Sequence, residues 1–168
     1  PDRLRRGGFR AVLRLLEQGN PSMIAEFGIE PDVQKILQYP DTSIACDCGV
    51  TNAKDLHPRF YGSYPRVLGK YVREEKILTW QDAVRKMTAL PAATIGMIDR
   101  GYVAPGMAAD LTVFDPRTVI DRATYENPAV PSEGIRHVFV NGVHALRDGV
   151  VTGERGGRLL WRSDDMPS

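Results

Sequence analysis

The sequence predicts an α/β fold that gives way to a small β unit near Asp99. Three observations carry this. Helix-period segments and short apolar runs alternate over the first half, the rhythm of parallel α/β architecture. Composition is that of a folded globular protein, with 42% hydrophobic and 26% charged residues. From Gly101 onward the texture changes to β-rich runs broken by Pro-Gly, Asn-Gly and Asp-Gly pairs. A chain of 168 residues is long enough for one ordinary domain with its own core.

In order along the chain, "FRAVLRLLEQGN" places Phe9, Val12, Leu13 and Leu16 at helical spacing, with Gly19 or Asn20 to stop the helix. "SMIAEFG" is a short buried-strand candidate. "EPDVQKILQYP" puts Pro31 at a helix start and Val33, Ile36 and Leu37 on one face. "TSIAC" is a second buried-strand candidate. "HPRFYGSYPRVLGKY" reads as a long structured loop, dense in aromatic, Gly, Pro and Arg residues; such loops inside compact domains are usually functional. "TWQDAVRKMTAL" begins a helix, with Thr79 as N-cap, Asp82 at the third helical position and Ala83, Met87 and Leu90 along one face. Pro91 opens another turn or short helix, which Gly96 ends. "GYVAPGMAADLTVFDP" predicts strand, Pro-Gly turn, strand. Asn141-Gly142, inside "GIRHVFVNGVHALRDG", predicts a type I′ hairpin, and a short run, "VVTGE", follows Asp148-Gly149. The division expected is α/β over residues 1–99, a small β-domain over 100–161 and a frayed tail over 162–168.

Several function classes are disfavoured. A net charge of +1 selects neither nucleic acid nor an anionic membrane as partner. No apolar run approaches a membrane span, and the basic start, "PDRLRRGGFR", lacks a signal-peptide core. Two cysteines one residue apart do not staple a fold, so a reducing, cytoplasmic setting is expected. The opening reads as mid-helix or linker and carries no initiator Met, so the chain is expected to start inside a larger protein.

The candidate chemistry gathers in residues 46–66. Asp47 follows the apolar Ile44 and Ala45 at a strand's C-terminal end, where parallel α/β folds place catalytic groups. An acid capping the following turn is an equal alternative. Cys46 and Cys48 lack the second ligand pair of a zinc motif; alternation points both the same way, and buried thiols are the favoured reading. No histidine belongs to an H-x-H or HExxH pair. His137 and His144 flank the Asn-Gly turn as surface or sheet residues, and His57 is the functional candidate. Arg59 suits a carboxylate with its fork, whereas Arg66 is expected to pair internally.

Four segments in order, "HPRFYGSYPRVLGKYVREE", "AVRKMTALPA", "DRGYVAPGMAADLTVFDP" and "GIRHVFVNG…TGERGGRLL", resemble the C-terminal part of the N-acyl-D-amino-acid deacylases, D-aminoacylases of the amidohydrolase superfamily. The resemblance runs from about Gly28 to Leu160. It implies the C-terminal strands and helices of a (β/α)8 metal-dependent hydrolase barrel, followed by part of a small β-sandwich. It implies zinc as cofactor, an N-acyl-D-amino acid as substrate, and a zinc-polarised amide carbonyl attacked by water. Asp47 matches the aspartate after the eighth barrel strand, which moves the water proton to the leaving nitrogen and is a weak or second metal ligand. Arg59 matches the arginine of the family's His-Pro-Arg, suited to the substrate carboxylate, and His57 beside it is the second substrate-binding candidate. Family members more often carry serine, aspartate and glycine in direct succession, so Cys48 is a departure. The family's H-x-H, its cysteine and its further histidines lie upstream and are absent from this sequence. Two functions follow: a portion of a deacylase completed by the missing N-terminal part of the barrel or by self-association, or a non-catalytic relative acting as a structural or interaction module.

Overall fold

The computed structural model describes residues 2–19, 28–49 and 56–160. Helix α1 spans Asp2–Glu17 and ends before Gly19, at φ +134. The stripe that predicts this helix also predicts a buried face. Yet Phe9, Val12, Leu13 and Leu16 are all exposed, Phe9 by 66%, and nothing among the described residues covers them. Helix α2 is Glu30–Gln38, with Pro31 and two acids, Glu30 and Asp32, in its first turn, where they complement the helix dipole. Leu37 is buried, whereas Val33 and Ile36 on the same face are exposed.

The expected strand "TSIAC" is not a strand. Residues 42–46 join no ladder; the Ile44 amide donates instead to the Lys86 carbonyl at 2.9 Å. A parallel strand exists only through its neighbours, and among the described residues none lies beside this one. The other expected strand, at residues 22–28, falls almost wholly outside the described residues, as does the tail from 162 to 168.

The expected long loop is largely helical. Helix α3 covers Arg59–Arg66 and passes directly into a π-helical segment, Val67–Glu74, marked by the Glu75 amide bonding the Lys70 carbonyl at 2.8 Å. Val67, Leu68, Tyr71 and Val72 recur at helical spacing and all are buried, so packing overrides the breakers Gly62, Pro65 and Gly69. Gly69 is required by proximity: a Cβ there would meet the Val119 carbonyl oxygen at 2.6 Å. Lys70 ties this segment back to α2 by an ion pair with Glu30 at 2.9 Å.

Helix α4, Trp80–Met87, starts as expected, with Thr79 Oγ1 accepting from the Asp82 amide at 3.1 Å. Helix α5, Ala89–Ile95, ends on Gly96 at φ +78, a left-handed C-cap. Four antiparallel strands follow in spatial order β1-β2-β3-β4: Leu111–Phe114, Ile135–Val140, Val143–Arg147 and Val150–Val151. Asn141 and Gly142 have φ of +49 and +80, and Asp148 and Gly149 of +51 and +79, so both turns take the positive-φ pairs of type I′ geometry. The strand expected before Pro105-Gly106 does not form. Instead β1 pairs with β2, Leu111 opposite Phe139. Its start is fastened to the hairpin, where the Asn141 amide donates to Asp110 Oδ1 at 2.7 Å and the Gly142 amide to the Ala109 carbonyl at 2.9 Å.

Helices and sheet share one core. Val119, fully buried, packs with Val67, Leu68, Tyr71 and Val72, and half-buried Phe114 and Ile135 close it from the sheet side. Lys86 is also fully buried. Its ammonium donates to the Tyr39 carbonyl at the end of α2 and to the Pro40 carbonyl at 3.4 Å, with Asp82 3.9 Å away. A buried ammonium is tolerated only when so surrounded. Lys86→Met keeps the apolar stem but removes the buried, charge-assisted donor, leaving the Tyr39 carbonyl with only the Thr42 amide at 3.1 Å and the Pro40 carbonyl with only Arg85 Nη2 at 2.6 Å. It should cost about 1–3 kcal/mol in urea unfolding, and an unchanged midpoint would show that the ammonium is dispensable.

Candidate active site

The site is assembled where residues 42–48 meet the start of α3. Cys46 Sγ lies 3.4 Å from the Arg59 carbonyl oxygen and 3.4 Å from Ser63 Oγ, which itself donates to the Arg59 carbonyl at 3.0 Å. This seats residue 46 against the first turn of α3 and brings its neighbour, Asp47, beside Arg59. Asp47 Oδ2 and Arg59 Nη2 are 2.8 Å apart. Asp47 is 91% exposed and Arg59 41%, so the pair adds only about 0–1 kcal/mol of stability. Its importance is geometric, in that an acid and a guanidinium share one open face.

The buried-thiol expectation is corrected. Cys46 and Cys48 are joined by a disulfide, Cys46 half-buried and Cys48 exposed. A bend at Asp47 brings their Cα atoms to 5.2 Å, closer than the ~6.6 Å of an extended i, i+2 pair and inside the reach of a disulfide.

His57 sits between two partners. Its Nδ1 accepts from the Arg59 amide at 3.1 Å, and its Nε2 is 3.1 Å from the Tyr125 hydroxyl, with the two rings edge to face at 5.1 Å. Sequence reasoning missed Tyr125, because nothing local in "RATYENP" signals a contact 68 residues away. Arg66 pairs internally as expected, with Asp121 at 3.1 Å. Desolvation by burial opposes the charge on Arg66, but the Asp121 carboxylate and then Tyr71 together outweigh it and raise the pKa. His137 and His144 lie together on β2 and β3, His144 Nε2 3.2 Å from His137 Nδ1, away from Asp47. An open cleft lined by residues such as Val72, Trp80 and Arg117 contains none of the site residues.

The residues present do not fit a zinc centre of their own. No group of three or more His, Cys, Asp or Glu side chains converges among the described residues. Asp47 is engaged by Arg59, both His57 nitrogens are engaged, and a disulfide offers no thiolate.

An acid and an arginine presented at the junction of an extended segment and a helix, ahead of a small antiparallel sheet, agree with the match to known proteins. The amidohydrolase family model covers residues 31–145, and the chain belongs to that family. Within it, the chain is 45% identical to a D-aminoacylase of Alcaligenes xylosoxydans xylosoxydans over 134 residues, 80% of this chain and 28% of that protein. It is 47% identical to the N-acyl-D-glutamate deacylase of the same organism, over 79% of this chain and 27% of that one. A solved structure of N-acyl-D-glutamate deacylase from Bordetella bronchiseptica, complexed with zinc and a phosphonate mimic of the tetrahedral intermediate, superposes with a TM-score of 0.66. It is 47% identical over 70% of this chain and 24% of that one. The matched region is thus under a third of each of these relatives.

Burial, and then the nearby Arg59 guanidinium, lower the His57 pKa below its ordinary value, while the Asp47 carboxylate opposes them only in part. The unfolded chain therefore takes up this proton at a higher pH than the folded one. The stability that His57 contributes is present above the ordinary histidine value, about 6.5, and is lost as pH falls through it and on through the lowered folded value. An NMR titration should place His57 below the ordinary histidine value; a result above it would contradict this environment.

Proposed function

We propose that the chain supplies the C-terminal strands and helices of a (β/α)8 barrel, over residues 1–99, and part of a small β-domain, over 100–161, with 162–168 as a tail, in a zinc-dependent hydrolase of N-acyl-D-amino acids. The observation that carries this reading is the Asp47–Arg59 juxtaposition at 2.8 Å, in a chain 45–47% identical to D-aminoacylase and N-acyl-D-glutamate deacylase. Asp47 acts as general base, taking a proton from the attacking water and returning it to the leaving nitrogen. Arg59 holds the substrate carboxylate with two charge-assisted bonds, and His57 sits beside it on the substrate-binding face. Arg59 already grips a carboxylate, that of Asp47. On this reading the substrate's carboxylate replaces it, which leaves Asp47 available as a base.

Zinc belongs to the same proposal, as in the Bordetella relative, with ligands from outside this chain. So does a partner, either the missing N-terminal part of the barrel or a second copy of the chain. It is supported by the uncovered apolar stripe of α1 and the exposed Ile29, Ile36 and Ile98. A cytoplasmic location stays part of the proposal, although the two cysteines that suggested it are joined in a disulfide. The second reading, a non-catalytic module, is favoured by one observation, the lack of a metal-ligating cluster among the described residues.

The tests separate these readings. Purified alone, the chain should bind no stoichiometric zinc and show no deacylase activity; metal analysis with an N-acyl-D-amino acid assay decides. In the complete hydrolase, Asp47→Asn should lower kcat by about 10²–10⁴-fold with zinc content and fold retained, since an amide cannot accept the proton. Near-normal kcat in the zinc-loaded variant would leave Asp47 as a turn-capping acid. Arg59→Ala should raise KM by an amount equivalent to about 2–4 kcal/mol, with Arg59→Lys restoring only part of it. If KM stays put in both variants, Arg59 is not the carboxylate clamp.

A further inference from the structure

We propose that Tyr125 is a positioning residue for Arg59, acting through His57: its phenol oxygen takes the His57 Nε2–H, so that Nδ1 presents a lone pair to the Arg59 amide and fixes the first turn of α3. The inference rests on the reading of Arg59 as the carboxylate clamp.

A backbone amide can only donate, so the 3.1 Å contact from the Arg59 N–H requires a bare Nδ1 on His57. A neutral imidazole then carries its hydrogen on Nε2. Tyr125 Oη, 3.1 Å away, is positioned to accept it. The edge-to-face contact of the two rings, at 77° between planes, holds the imidazole in the orientation that both hydrogen bonds need. Protein partners on both ring nitrogens fix the tautomer as well as the direction of the ring.

Tyr125 is itself held. It lies between β1 and β2, inside a turn closed from both sides, where the Thr124 amide donates to the Asn127 carbonyl at 3.1 Å and the Asn127 amide to Thr124 Oγ1 at 3.0 Å. Four residues earlier, Asp121 pairs with Arg66 at the far end of α3. Asp121 also packs on Gly62, where an added Cβ would come within 3.2 Å of the Asp121 Cβ. The segment from Asp121 to Tyr125 therefore clasps α3 at both ends. One clasp, Arg66–Asp121, sets where the helix lies. The other, Tyr125–His57, sets the start of the helix, from which the Arg59 guanidinium departs toward Asp47.

Tyr125→Phe separates these contributions, because it keeps the ring contact and removes only the acceptor. In the isotopically labelled chain, nitrogen NMR should show the Nδ1–H tautomer of His57 appearing beside the Nε2–H form, and the Arg59 amide should exchange with solvent about five-fold faster, the scale of one neutral hydrogen bond. In the complete hydrolase, KM for an N-acyl-D-amino acid should rise about five-fold with kcat and thermal midpoint unchanged, as expected for lost uniform binding. Unchanged tautomer populations with an unchanged Arg59 exchange rate overturn the proposal, whatever the kinetics. So does an unmoved KM in Tyr125→Phe when Arg59→Ala raises it. If Arg59→Ala itself leaves KM unmoved, the substrate reading of Arg59 fails instead, and the NMR readout still decides whether Tyr125 holds His57.

Discussion

The buried ammonium of Lys86 is the constraint on which the placement of the site depends. Lys86 Nζ reaches the carbonyls of Tyr39 and Pro40, just past the end of α2, which also accept from the Thr42 amide and the Arg85 guanidinium. Its own backbone carbonyl takes the Ile44 amide. One residue of α4 thus fixes both ends of the short segment between α2 and Asp47. With no ladder partner to hold them, residues 42–46 owe their extended path to this bond and to the burial of Ile44 against the shared core. Burying a charge is costly unless it is surrounded by acceptors. The surroundings of Lys86 meet that condition, and the return on it is a defined direction for the chain as it reaches Asp47.

From there the site follows by short steps. Cys46 rests on the first turn of α3, which places Asp47 within reach of Arg59. Arg59 is anchored by its amide on His57 and its carbonyl on Ser63. The helix beneath is pressed so closely on Val119 that residue 69 has no room for a side chain. The open face that presents Asp47 and Arg59 is therefore backed by a closely packed layer. The same arrangement explains why the chain belongs to a hydrolase family while lacking a metal centre among its described residues. It carries the acid, the arginine and their support, and convergence of metal ligands is not part of what these elements build.

How much of this was legible in the sequence depends on the range of the interaction. Thr79, Gly96, Asn141-Gly142 and Asp148-Gly149 were readable because caps and type I′ turns are settled within four residues. The strand expected at "TSIAC" was misread, since an apolar run says nothing about whether another strand will lie beside it. The stretch from His57 to Tyr71 was read as loop because four Gly and Pro residues outweighed the helical spacing of Val67, Leu68 and Tyr71. Asp47, His57 and Arg59 could be named from residue type and setting, and the structure brings all three to one place. Tyr125 and the Cys46–Cys48 bond could not: the first depends on chain folding over 68 residues, the second on a local bend that alternation alone does not specify.

The two adjoining type I′ turns bear on the order in which the molecule forms. They join β2, β3 and β4 through loops of two residues, so three strands can align with almost no chain to close. Such hairpins form in about 1–10 μs, long before contacts that span much of a chain. Strand β1 must come from across the Asp121–Pro131 excursion, and Val119 must then find a helix some fifty positions upstream, near Gly69. The sheet is thus expected to nucleate at its C-terminal hairpins and to offer β2 as a template. Helix α3, which carries Arg59, and the extended segment that carries Asp47 would be the last elements to lock into place.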